Sequence, residues 1–254
     1  MTEGRYIYCI VESSQKAHLG NIGIDGSPIY TIPYQEISAV VHNCPAKPYE
    51  SKDNEVVKNW VITHEKVVET VLEKLGTVLP FGFDTIIKTN EGKDPEEVVK
   101  DWLKGDFQNL KEKLDKVRGK AEYGIQVSWD TKVIFQLLTE EDEELKKLSE
   151  EIKSKSKGAA YMYKQKLEKI LRVRLEREAE RYFKEFYGRI KENTEEIRIE
   201  KLKKEEEPKQ MLVNVSCLAD KKDVKALGDE LDKINNMGGF SVRFTGPWPP
   251  YSFV

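Results

Sequence analysis

The sequence predicts an α+β fold in two domains. Residues 1–120 form a small N-terminal α/β domain, and residues 121–254 a C-terminal ferredoxin-like (βαββαβ) domain with a long, partly coiled-coil-like helix and a proline-aromatic tail. Three observations carry this. The 254 residues suit one large domain or two ordinary ones. Arg118, Gly119 and Lys120 punctuate the middle of the chain. Beyond them, residues 121–246 read strand, long helix, strand, strand, helix, strand, the order of a split βαβ with both helices on one face of an antiparallel sheet.

In the first half, Tyr6–Val11 (YIYCIV) is dense in β-branched and aromatic residues and reads as a buried strand. Gly20–Ser27 is turn chemistry; it lacks dinucleotide spacing and a Gly-Lys-Ser/Thr ending, so it is not read as a phosphate loop. Ile29–Ile32 is a short strand limited by Pro28 and Pro33, and Ile37–His42 a second clear one. Cys44–Asp53 is a loop. Asp53 or Asn54 then caps a helix to Leu75, whose apolar positions recur at three and four, and Gly76 ends it. His64 lies on that apolar face with no nucleophile or orienting carboxylate to name beside it, and is read as structural. Val78–Phe83 is an apolar, aromatic run leading into a strand at Thr85–Lys88, and Asn90–Asp94 a loop. Asp94, Pro95, Glu96 and Glu97 open a helix that Gly105 interrupts.

In the second half, Glu122–Asp130 alternates with Tyr123, Ile125, Val127 and Trp129 on one face, a strand. Thr131–Leu138 reads as a helical turn or a short segment. From Glu140 to Asn193 the pattern is helical and highly charged, with an apolar stripe from Tyr163 to Ile190 that spans about 40 Å at 1.5 Å per residue. Glu168–Arg172, Arg174–Glu178, Glu180–Lys184 and Arg181–Glu185 are i,i+4 pairs on its outer face. So long a helix overreaches a small sheet, and part of it should project or pair with another helix. Glu196–Leu202 and Met211–Leu218 are strands, Asp220 caps a helix through Ile234, and Phe240–Phe244 is the closing strand.

The tail, Thr245–Val254 (TGPWPPYSFV), holds three prolines that cannot donate to a ladder, so strand pairing should stop near Gly246. Residues before proline avoid the α region, which makes the segment stiff and close to polyproline II, with Trp248 and Tyr251 on one side. Such a tail is a packed element that docks its aromatics on the protein's own body or on a partner.

Composition narrows the functional classes. Net charge is −3, and the two signs nearly balance along the long helix, which argues against nucleic acid. Cys9, Cys44 and Cys217 are odd in number and far apart, so free buried thiols in a reducing cytoplasm are expected, with no metal site. There is no signal-peptide pattern and no run long enough to cross a bilayer. No catalytic constellation and no cofactor motif stands out, so an enzyme is not expected.

Several of these blocks resemble the gas vesicle L/F proteins. Tyr6–Val11 is similar to the family's opening strand, and Gly23–Gly26 followed by Ile37–Val41 to its next block. His64 with Val67, Val68 and Val71, leading to Val78–Pro80 and Phe83, resembles its first helix and the segment beyond that helix. Gly158–Tyr161 resembles the start of its long helix, and Thr245–Phe253 is the most specific element. One departure is visible: where the family has Phe-Gly-Thr, this chain has Phe83, Asp84 and Thr85, with the glycine moved to Gly82.

The resemblance implies a non-enzymatic accessory or minor structural role in gas vesicle assembly or nucleation. It implies contact with the hydrophobic shell protein and with other accessory proteins, and a location in the cytoplasm at the gas vesicle. Pro80, Phe81, Phe83, Trp248, Tyr251 and Phe253 are the candidate protein-binding residues, since a binder of an apolar shell needs apolar patches. The alternative from the fold alone is a ferredoxin-like regulatory module that binds a small ligand or RNA on its sheet, with Tyr123, Trp129 and Phe244 as stacking aromatics.

Overall fold

A computed structural model describes residues 3–89 and 92–254, so Asn90 and Glu91 of the expected loop lie outside the described residues. The fold is mixed α and β, built on antiparallel sheets. The chain divides into two compact units: residues up to Glu122 together with Pro247–Val254, and Tyr123–Gly246. The tail, assigned from the sequence to the C-terminal domain, thus falls with the first unit.

The first unit is organised on strand β1 (Glu3–Glu12). Its sheet runs β2 (His18–Gly20), β3 (Ile29–Tyr34), β4 (Ile37–Pro45), β1, β5 (Val78–Pro80), and β6 (Ile86–Lys88) also pairs with β1. Every residue from Gly4 to Val11 is buried, because helices cover both faces. A register shift between Ile7 and Cys9 in the β1–β4 ladder divides this run. Tyr6, Tyr8, Cys9 and Val11 face one core with Val67, Val68 and Val71 of α1 (Asn54–Leu75). Ile7 and Ile10 face the other, with Val99 and Leu103 of α2 (Pro95–Gly105) and Leu110 and Leu114 of α3 (Phe107–Val117). A strand without the bulge would alternate strictly and could not place Tyr8 and Cys9 on one side.

Helix limits follow from local chemistry. The Asp53 carboxylate accepts the Glu55 N–H at 2.9 Å to open α1, and Gly76, at φ 85°, closes it. Asp94 caps α2 in the same way, ahead of Pro95. The expected interruption at Gly105 is a true break between two helices. Pro33 lies inside β3 rather than at its limit, because β2 reaches only Ile29 and Tyr30, and beyond them the missing N–H faces no neighbour. Gly20–Ser27 holds a short 3₁₀ turn, Ile24–Gly26, whose Asp25 carboxylate accepts the Trp60 indole N–H of α1 at 2.9 Å. A Cβ at Gly23 would meet Ile29 Cδ1 at 2.6 Å and the Ser27 carbonyl at 2.7 Å, so this glycine serves close packing.

In the second unit the strand order is β10 (Phe240–Trp248), β7 (Lys120–Asp130), β9 (Lys209–Asp220), β8 (Glu196–Ile199), with β8 and β9 antiparallel. Its core joins Trp129, Val213 and Val215 of the sheet to Phe186 and Ile190 of α6 (Lys157–Glu192) and Leu227, Leu231 and Ile234 of α7 (Val224–Asn235). Asp220 does not cap α7; its carboxylate accepts Lys222 N–H in the turn, and Asp223 stands at the cap. Strand β10 continues past Gly246 to Trp248, because it is the edge of its sheet, where a proline removes no ladder bond from a central strand.

The helical stretch expected from Glu140 to Asn193 is three helices, α4 (Thr131–Glu141), α5 (Glu143–Ser154) and α6. Asp142 makes the first break: extended at φ −98°, ψ 111°, it accepts Glu144 N–H at 2.9 Å and caps α5. Of the four expected pairs, Glu180–Lys184 (2.6 Å) and Arg181–Glu185 (3.4 Å) form, whereas Arg174 turns to Asp142 at 3.3 Å. Helix α6 is 36 residues long, about 54 Å, and its first half pairs with α5 through Leu145, Leu148, Leu167 and Leu171. Its buried members are distinct from those of the sheet core, and Leu138 of α4 packs against both. Leu171→Ala should therefore cost about 2–4 kcal/mol locally. Hydrogen exchange should quicken across α5 and the first half of α6 while the β7 and β9 amides keep their protection. Uniform loss of protection would show the hairpin to be one cooperative unit with the sheet.

Candidate functional site

The six residues singled out from the sequence range from buried through half-buried to exposed. Pro80 is buried, paired with Cys9 in the β1–β5 ladder. The Phe81 ring meets Trp102 edge-on at 5.7 Å, and Phe83 packs against Tyr6, Tyr49 and His64. Phe81 and Phe83 are half-buried within the first unit. Phe253 is 2% exposed. Trp248 and Tyr251, at 45% and 36%, keep large exposed surface.

Beneath this region lies a buried polar and aromatic network. The Asp84 N–H donates to the Tyr6 hydroxyl (3.0 Å), which donates to His64 Nδ1 (2.9 Å), while His64 Nε2–H donates to the Phe81 carbonyl (2.9 Å). These partners fix the neutral imidazole with its proton on Nε2, and burial holds its pKa below the usual histidine value. His64 is thus tied at both nitrogens to the scaffold. A second histidine, which sequence reasoning did not single out, stacks on Tyr6 at 4.9 Å. This is His42, whose Nε2 meets the Tyr49 hydroxyl at 2.8 Å while Nδ1 has no partner. Burial pushes its pKa down to about 4. Asp84, which stands where the family pattern has glycine, adopts φ 67°, a left-handed conformation that aspartate tolerates better than most residues. Its carboxylate accepts Tyr49 N–H at 3.0 Å.

Tyr6 and both nitrogens of His64 are satisfied within this network, whereas His42 Nδ1 is not. Burial raises the Cys9 thiol, and raises that of Cys44 to about 11, so neither is a thiolate at neutral pH. Among the described residues no group of three or more His, Cys, Asp or Glu could hold a metal, and no helix is long and apolar enough to cross a membrane. Of the three aromatics named for the RNA alternative, Tyr123 and Phe244 meet each other, whereas Trp129 is not on offer to a base. Trp129 is buried against Tyr182 and Phe240, with its indole N–H donating to Gln210 at 3.0 Å, and Tyr123 stacks on Phe244.

The tail itself is anchored on the first unit. It is not a polyproline extension throughout, since Tyr251–Phe253 forms a 3₁₀ turn with Phe253 N–H donating to the Pro250 carbonyl at 3.1 Å. Glu122 holds the turn: its carboxylate accepts Ser252 N–H (2.8 Å) and Ser252 Oγ–H (2.6 Å). Lys116 of α3 donates to the Phe253 carbonyl at 3.1 Å. Between the turn and α1 is a notch of about 300 Å³, lined by Trp248, Pro249 and Tyr251 and by Glu65, Glu69 and Glu122. Trp248 and Tyr251 both line this notch, although not through the polyproline spacing expected from the sequence. Glu65 and Glu69 lie one turn apart on α1. Desolvation raises the Tyr251 phenol above its ordinary value, with Cys9, Glu65 and Glu69 acting in the same direction.

The same architecture is found among solved gas vesicle proteins. The GvpF crystal structure from Anabaena sp. PCC7120 superposes with a TM-score of 0.74 at 19% identity, covering 99% of this chain and 98% of that one. GvpF from Microcystis aeruginosa gives 0.65 at 22%, covering 98% of each. At such identities the likeness is one of fold. Sequence carries the assignment further. The family model described as gas vesicle synthesis protein GvpL/GvpF matches residues 4–254. Gas vesicle protein L1 of Halobacterium salinarum is 33% identical over 262 residues, covering 100% of this chain and 91% of that protein. Gas vesicle protein L of Haloferax mediterranei is 28% identical over 290 residues, covering 100% and 88%. The chain belongs to the GvpL/GvpF family of gas vesicle proteins, which gives it an accessory role in the gas vesicle.

Proposed function

We propose that this chain is an assembly factor or minor structural component of gas vesicles that works in the cytoplasm and at the vesicle by binding the shell protein and other accessory proteins. The observation that carries the reading is the anchored tail. Trp248, at the end of β10, and Tyr251, on the turn beyond it, are exposed, and the backbone of that turn is already held by Glu122, Lys116 and the buried Phe253. A partner meeting these rings does not have to order them, so more of the contact energy remains as affinity. Exposed aromatics on a rigid frame are the residue type and setting of interface hot spots.

The strand order β10-β7-β9-β8 supports reading the second unit as ferredoxin-like, and the division at Glu122 supports two domains. Two relatives from Halobacterium salinarum support placing the chain on the L branch: L1 is 33% identical over 262 residues, F1 23% over 258.

The test is co-purification. The tagged full-length chain, expressed with a complete set of gas vesicle genes, should retain shell and accessory proteins. Trp248→Ala with Tyr251→Ala should lower their yield at least tenfold while the thermal transition stays in place. Absence of every gas vesicle protein from the wild-type eluate would reject the reading.

A further inference from the structure

We infer that the notch beside the tail receives a basic side chain, an arginine or lysine presented by a partner protein; this rests on the reading of the tail as a contact surface. Apolar walls alone would admit an aliphatic anchor. Here Glu65, Glu69 and Glu122 share the lining with Trp248, Pro249 and Tyr251. Seating a purely apolar group would strip water from these carboxylates and return nothing to them. A long basic side chain meets both halves of the lining: its methylenes lie along Pro249 and the rings while its head reaches the carboxylates.

The charges of the notch are available. Glu122 is engaged by Ser252, but among the described residues Glu65 and Glu69 form no ion pair and no cation sits over the ring of Trp248 or Tyr251. Indole is the strongest of the aromatic faces for a cation. Two carboxylates one helical turn apart suit the planar fork of a guanidinium better than the single point of an ammonium, so arginine is the better occupant. At about 300 Å³ the space is at the bottom of the range of small-molecule pockets, roughly 300–1,000 Å³, which suits one side chain. Rigid walls again help, because the turn carrying Tyr251 is tied to Glu122 and Lys116.

The experiment uses the full-length chain and acetyl-Gly-Gly-Arg-Gly-Gly-amide, with its citrulline analogue as an isosteric neutral control. The readout is the Trp248 indole N–H resonance, assigned by Trp248→Phe. The arginine peptide is expected to shift it saturably, at least tenfold more tightly than the citrulline peptide and less tightly as salt is raised. Glu65→Gln with Glu69→Gln, both on the outside of α1, should weaken it at least tenfold with an unchanged melting temperature. Equal binding of citrulline, an unaffected double variant, or no shift by the arginine peptide overturns the inference. Co-purification separates this from the reading beneath it. If the Trp248/Tyr251 variant loses the gas vesicle proteins while the Glu65/Glu69 variant keeps them, the tail is the contact and the basic occupant is wrong. If both variants keep them, both ideas fall.

Discussion

Between pH 6.5 and about pH 4 the first unit should lose roughly 3 kcal/mol of stability through His42 alone, with a further loss through His64. The sign follows from which state holds the proton. Both imidazoles are buried and neutral in the folded chain, so their folded pKa values lie below the unfolded value near 6.5. In the window between the two values the unfolded chain binds protons that the folded chain refuses. Stability is therefore full above pH 6.5 and drains as pH falls through the window.

For His42 the cause is first desolvation, opposed by Asp25 and reinforced by the neighbouring His64. Charging His64 would in addition place a second N–H against the Tyr6 hydroxyl, whose proton already points at Nδ1. Urea midpoints at pH 7, 5.5 and 4.5 would measure the loss. His42→Phe, which keeps a ring on Tyr6 but cannot take a proton, should flatten the profile although it lowers the midpoint at pH 7. A wild-type midpoint that does not move between pH 7 and pH 4.5 would contradict the buried neutral pair.

One histidine was legible in the sequence and the other was not, for a physical reason. His64 falls on the apolar stripe of α1, where a period of three and four places it inward beside Val67, Val68 and Val71. His42 ends an apolar run in β4, and nothing in its neighbours distinguishes a buried end from an exposed one; contacts with Tyr6 and Tyr8 of β1, distant in sequence, and with Tyr49 surround it. Helix limits were readable where caps are local, as at Asp53, Gly76 and Asp94. The break at Asp142 was not, because Glu, Lys and Leu continue on both sides and a capping aspartate looks like any other acid there. At the tail, the proline count was right about stiffness but not about where pairing stops, since strand position in a sheet is a nonlocal property. The notch draws Glu65, Glu69 and Glu122 to Trp248 from far along the chain. No period or spacing encodes such a meeting, so the aromatics that line the notch stood out in the sequence and its carboxylates did not.

Phe253→Ala should cost the first unit about 3 kcal/mol, within the range for a buried phenylalanine. Two further contacts depend on the same turn: the paired bonds from Ser252 to the Glu122 carboxylate, of the charge-assisted kind worth about 1.5–3 kcal/mol, and the Lys116 bond to the Phe253 carbonyl. Glu122→Gln, which keeps the shape and weakens the acceptor, should fall between wild type and Phe253→Ala. Urea unfolding followed by hydrogen exchange in α1 and α3 gives the order. A Phe253→Ala protein as stable as wild type would show the tail to be unanchored. The functional consequence separates anchoring from contact. Phe253→Ala leaves Trp248 and Tyr251 in the chain but frees the turn that aims them, so partner capture should fall because the rings must now be ordered on binding. Restoring bulk with Phe253→Leu should recover most of both stability and capture. Recovery of stability without capture would mean that the phenylalanine ring itself, and not the frame it holds, touches the partner.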